Sequence, residues 1–156
     1  MKKSELIHLI ESIVINEIGE GTATPYKYDI IASSDEQISA EFQTDSGMYY
    51  SIHGKRLINA LKVDFRVINL QDSPDEFPET NKFELFRVMS TISKILSEYI
   101  KKYNDYTYLR YEPKQQGALY AKLGNTRDKI FRRYIQKALP GTVFIEQGGT
   151  VFAKIK

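Results

Sequence analysis

The chain has 156 residues, the length of one domain with a sizeable core. Its hydrophobic fraction of 42% and charged fraction of 27% are those of a globular protein and exclude wholesale disorder. There is no cysteine, which excludes disulfides, thiolate metal sites and thiol nucleophiles, and the net charge is only +2.

In chain order, Ser4 stands as an N-cap before Leu6, Ile10, Ile13, Val14 and Ile18, whose spacing predicts a first helix ended by Gly19 and Gly21. His8, Glu11 and Glu17 interrupt that apolar stretch, as a secretory leader would not, and no run of about 18 apolar residues could span a bilayer. A soluble, cytoplasmic protein with no membrane association is expected. From Pro25 onward apolar residues alternate with polar ones. Tyr26, Tyr28, Ile30 and Ala32 mark one face of a first strand, Ile38, Ala40 and Phe42 a second, and Met48, Tyr50 and Ile52 a third ending near His53. Asp45-Ser46-Gly47 suits the turn between the second and third. Leu61, Val63, Phe65 and Val67 form a fourth strand, and period 2 with one polar face predicts an antiparallel meander.

Leu70–Asn81, with Pro74, Pro78, Asp72, Asp75, Glu76 and Glu79, reads as an exposed loop. From Lys82 to Tyr103 the stripe Leu85, Met89, Ile92, Leu96, Tyr99 and Tyr103 predicts a helix with one face on the sheet. Tyr106–Tyr111 is a strand. After a connection from Pro113 to Gly124, Thr126 is expected to cap a helix with Ile130, Phe131, Tyr134 and Ala138 inward, ended by Pro140-Gly141. Thr142–Gln147 and Thr150–Ile155 make a closing hairpin about Gly148-Gly149. The expectation is one α+β domain over residues 1–156: a mostly antiparallel sheet of about seven strands packed by three helices.

Chemistry-bearing motifs are few. His8 and His53 lack a second ligand at metal spacing, so no metal site is expected, and the loop acids do not follow the calcium-loop pattern. No G-x-S-x-G occurs, and the glycines do not form a phosphate-binding loop. Charge is more informative. Residues 101–156 hold 12 Lys and Arg against 4 Asp and Glu, leaving 10 against 16 in residues 1–100. Arg127, Lys129, Arg132, Arg133 and Lys137 ring the polar side of the last helix, and Arg110 ends a tyrosine-rich strand. These six are the candidate partner-binding residues: cations can hold phosphates or carboxylates while aromatics stack on bases. The same residues also suit an ordinary solvated helix face. The RNA-recognition signature of a basic residue before G-[FY]-[GA]-F is missing.

The order meander, helix, strand, helix, hairpin over residues 26–156 resembles the GNAT family of N-acetyltransferases. That resemblance implies an acetyltransferase-like topology and an R/Q-x-x-G-x-G/A turn for the pyrophosphate of acetyl-CoA. Here the segment Val67–Lys82 has no glycine, carries two prolines without N–H groups and is acidic, so no cofactor is expected. Phe83–Ile92, the aromatic strand and Thr126–Tyr134 also resemble small proteins of tailed bacteriophages on such a scaffold. The resemblance implies a phage-encoded, non-catalytic binding protein acting in a host cytoplasm on a protein or nucleic acid. A divergent N-acyltransferase and a virion or assembly component are the alternatives.

Overall fold

The structure, a computed structural model, describes residues 23–68, 82–113 and 117–156, and within these only the backbone course of 82–83 and 117–127. The first expected helix and the 70–81 loop lie outside the described residues. The elements are β1 (Tyr28–Ser33), β2 (Gln37–Gln43), β3 (Tyr49–Leu57), β4 (Ala60–Val67), α1 (Lys82–Lys102), β5 (Tyr108–Tyr111), α2 (Gly117–Ala138), β6 (Val143–Gln147) and β7 (Thr150–Lys154). They build an α+β domain with one seven-stranded sheet in the order β1-β2-β3-β4-β5-β7-β6. Every pairing is antiparallel except β4 with β5, whose parallel rungs join Ala60–Lys62 to Tyr108–Arg110. Parallel neighbours need a crossover, and α1 supplies it.

Period 2 sorts the side chains cleanly. On one face, Ile38 stands by Gly54 and Val63, Ala40 by Ile52 and Phe65, and Phe42 by Tyr50 and Val67. Leu61, Leu109 and Ala153 continue this face across β4, β5 and β7. Both described helices pack here: Glu98 and Lys94 of α1 meet Tyr28, and Phe131 and Asp128 of α2 meet Tyr111. Gly54 is required by this packing, since a Cβ there would lie 2.9 Å from Ile38 Cγ2 and 3.1 Å from both Leu61 methyls. The opposite face carries half-buried Glu41 and exposed His53, Lys55, Lys62, Asp64 and Arg66.

Four expectations are corrected. In β1 a bulge between Ile30 and Ala32 shifts the register. Tyr28 then opposes Phe42 on the covered face, whereas Ala32 opposes Ser39 on the open one, and edge residues Ile30 and Ile31 are exposed. Strand β3 runs past His53 to Leu57 and returns through Ile58-Asn59, so His53 is central rather than terminal. Helix α1 is buried nearly all round: from Glu84 to Lys102 only Lys94, Glu98, Lys101 and Lys102 are exposed. Small polar residues let neighbours approach closely, and their hydroxyls bond nearby carbonyls, Ser90 to Ala23 and Ser93 to Ser90. Finally, α2 begins at Gly117, so Thr126 is internal and not a cap. Ala118, Leu119, Ala121, Lys122 and Leu123 are strong helix formers that outweigh the cost of about 1 kcal/mol for Gly124.

The closing hairpin forms as expected. Gln147 pairs with Thr150 across two glycines at φ +57° and +82°, the two positive angles of a type I′ turn.

Candidate functional site

Helix α2 lies beside the edge strand β6, and between them Lys129, Arg132, Arg133, Gln136, Thr142, Val143 and Phe144 line an open cleft of about 580 Å³. Thr142 is buried, its hydroxyl donating to the Leu139 carbonyl at 2.6 Å, which ties the end of the helix to the start of the strand. Phe144 forms an aromatic wall over which the Arg132 guanidinium sits, 5.2 Å from the ring centre.

Arg132 is neutralised within the fold. Arg132 donates through Nε to Asp128 at 3.0 Å and also pairs with Glu146 of β6. Asp128 in turn accepts from the Tyr111 hydroxyl at 2.7 Å, and the Tyr111 ring meets Phe131 edge-on. Burial by itself would lower the Arg132 pKa, but the bond and charge of Asp128 raise it, so the guanidinium stays charged. Burial and then Asp128 push the Tyr111 phenol up, keeping it a donor. Tyr111, Asp128, Arg132 and Glu146 therefore staple α2 across β5 and β6. Arg132, one of the six candidate partner-binding residues, is thus held within the fold.

The remaining candidates divide. Lys129, Arg133 and Lys137 fall at i, i+4 and i+8 along one line of α2, all exposed, with Lys129 and Arg133 in the cleft wall. Arg133 and Lys137 have no ion pair among the described residues. The Arg127 side chain lies outside the described residues. Arg110 does not join the cleft: it points to the open face of the sheet, opposite Lys62 and Phe152. Its guanidinium lies 5.8 Å from the Phe152 ring centre and 3.9 Å from Glu112, and its buried Nε has no hydrogen-bond partner. Sequence reasoning missed Asp128, Glu146, Gln136, Thr142 and Phe144. The Asp128–Arg132 pair at i, i+4 was a readable signal; the others are brought together only by tertiary packing.

Two further polar clusters stand apart from the cleft. Glu84, buried in the first turn of α1, accepts from the Ser46 amide at 3.0 Å and the Ser46 hydroxyl at 2.5 Å, pinning the β2–β3 turn. Burial would raise its pKa, but the bonds from Ser46 and Thr44 outweigh this and hold the carboxyl below its ordinary value. His53 lies between Ser39, 3.2 Å from Nδ1, and Ser51, 2.8 Å from Nε2. No three His, Asp or Glu side chains group as metal ligands among the described residues, and no helix among them is long and apolar enough to cross a membrane. No protein-family model matches the chain, and no curated protein is found to be similar to it.

Proposed function

We propose that this is a non-catalytic binding protein on an acetyltransferase-like scaffold, phage-encoded and acting in a host cytoplasm, whose partner places anionic groups in the cleft between α2 and β6. The observation that carries the reading is the pairing of Arg133, an exposed cation with no ion pair among the described residues, with Lys129 on the wall of a cleft beside an aromatic surface. Carboxylates or phosphates would approach these cations, and Gln136 offers an amide donor beside them. Phe144 and Val143 give an apolar rim. The scaffold assignment rests on element order: four meander strands, a helix, a strand, a helix and a hairpin. The lack of a cofactor role rests on the glycine-free, acidic segment between β4 and α1.

Retention on a phosphocellulose column tests the cleft. The double variant Lys129→Ser/Arg133→Ser should melt within about 4 °C of the parent, because exposed substitutions cost within about 0.5 kcal/mol each. It should also elute at clearly lower salt. Elution unchanged from the parent would return both residues to solvation of the helix.

A further inference from the structure

The open face of the sheet carries a feature that the cleft does not use. Strand register sets one side chain from each of six strands in a single row: Gln37, Lys55, Lys62, Arg110, Phe152 and Ile145. Three consecutive members are cations. Neighbouring strands lie about 4.8 Å apart, so the charges are stacked directly across from one another, an arrangement that weakens a sheet. Lys55 and Lys62 are exposed and form no ion pair among the described residues, although Asp64 sits on the same face two residues from Lys62. Among the described residues Arg110 has one ion-pair partner, Glu112 at 3.9 Å, and its buried Nε has no hydrogen-bond partner. Phe152 of this row and Tyr108 beside it, both half-buried, meet edge-on with ring centres 6.4 Å apart. Ile145 and Val143, both exposed, extend the apolar ground to the sheet edge.

We propose that this face binds single-stranded nucleic acid, with phosphates along Lys55, Lys62 and Arg110 and bases against Phe152 and Tyr108. The charge row needs an anion that repeats, which a polyphosphate backbone supplies. The rings offer flat apolar surface at the end of the row, which splayed bases fill and acidic side chains do not. A broad sheet face presents no helix or ribbon to enter a duplex groove, so a single strand fits better than a double one. Lys55, Lys62, Arg110, Tyr108 and Phe152 do not line the α2–β6 cleft, so their role stands or falls independently of it.

The test is fluorescence anisotropy with labelled oligothymidylate at low salt, with the matching duplex and polyglutamate as competitors. Lys62→Gln removes the central charge. Its melting temperature should hold or rise, because two like-charge neighbours are relieved, while affinity falls several-fold and the log–log salt slope shrinks by about 0.7, one phosphate contact. Phe152→Leu keeps an apolar side chain without the ring and should cost about tenfold in affinity. Should Phe152→Leu fail to fold, the exposed Lys62→Gln decides alone. Arg133→Ser in the cleft should bind the oligonucleotide as the parent does. The proposal is overturned by affinity unchanged in Lys62→Gln, by loss in Arg133→Ser instead, by duplex or polyglutamate competing as well as the single strand, or by no binding at all.

Discussion

Replacing Glu84 by Gln isolates the contribution of one buried carboxylate to the fold. Its Oε1 takes both the amide and the hydroxyl of Ser46, so the negative charge fixes the β2–β3 turn to the start of α1. The amide oxygen of glutamine can still accept both bonds. Charge-assisted bonds are roughly twice as strong as neutral ones, and each is worth about 1.5–3 kcal/mol. Losing half of two such bonds, partly offset because glutamine is less costly to bury, leaves a penalty of about 1–2 kcal/mol at pH 7. For a chain of this size that lowers the Tm by about 2–8 °C. The pH dependence is the sharper signature. The folded pKa of Glu84 lies below its ordinary value of 4.5, so its stabilisation is complete above that value and is lost as pH falls through the folded pKa. Urea denaturation of parent and variant should therefore show a gap at pH 7 that closes in acid, where the parent glutamate is itself neutral. An equal gap at both ends of the range, or none at pH 7, would refute the assignment.

Three other outcomes follow from the geometry. Arg132→Ala should cost about 2 kcal/mol, since Asp128 is left half-buried beside Tyr111 without its cation, and a double-mutant cycle with Asp128→Ala should show strong coupling, read by chemical denaturation. Ile58 is 91% exposed at φ +57°, a conformation strained for a β-branched residue, so Ile58→Gly should raise the melting temperature by a few degrees, corresponding to about 1 kcal/mol. Incubation with acetyl-CoA and a panel of amines should release free thiol no faster than the spontaneous rate; release above it would favour an acyltransferase.

Most of the architecture was legible because local signals agreed with the final packing. Alternation in β2 to β4 predicted which residues face the core, and Gly148-Gly149 specified its hairpin. Where the reading failed, non-local terms decided. A bulge in β1 left no trace in composition, and the Ile58-Asn59 turn hid because isoleucine is the wrong residue for positive φ. Gly124 looked like a boundary and lies within α2. Of the candidate site, the cations were visible but their partners were not. Charge and neighbouring tyrosines put Arg110 among the candidates with the helix cations, whereas strand register turns it to the opposite side of the sheet. The row it forms with Lys55 and Lys62 joins residues from three strands and could be seen only once their register was known.

Backbone amide NMR during titration with a single-stranded oligonucleotide at low salt maps whether the proposed cationic sheet surface engages an anionic partner. The predicted shifts lie on the open face, at residues 53–55, 61–64, 108–112 and 151–153, while residues 129–137 of the cleft stay unchanged. The end of the sheet where Arg56 joins Asp105 and the Tyr106 ring should stay unchanged, since its charge is satisfied within the fold. Shifts confined to that end, or to the apolar edge at Ile30 and Ile31, or no shifts at saturating oligonucleotide, would contradict the claim.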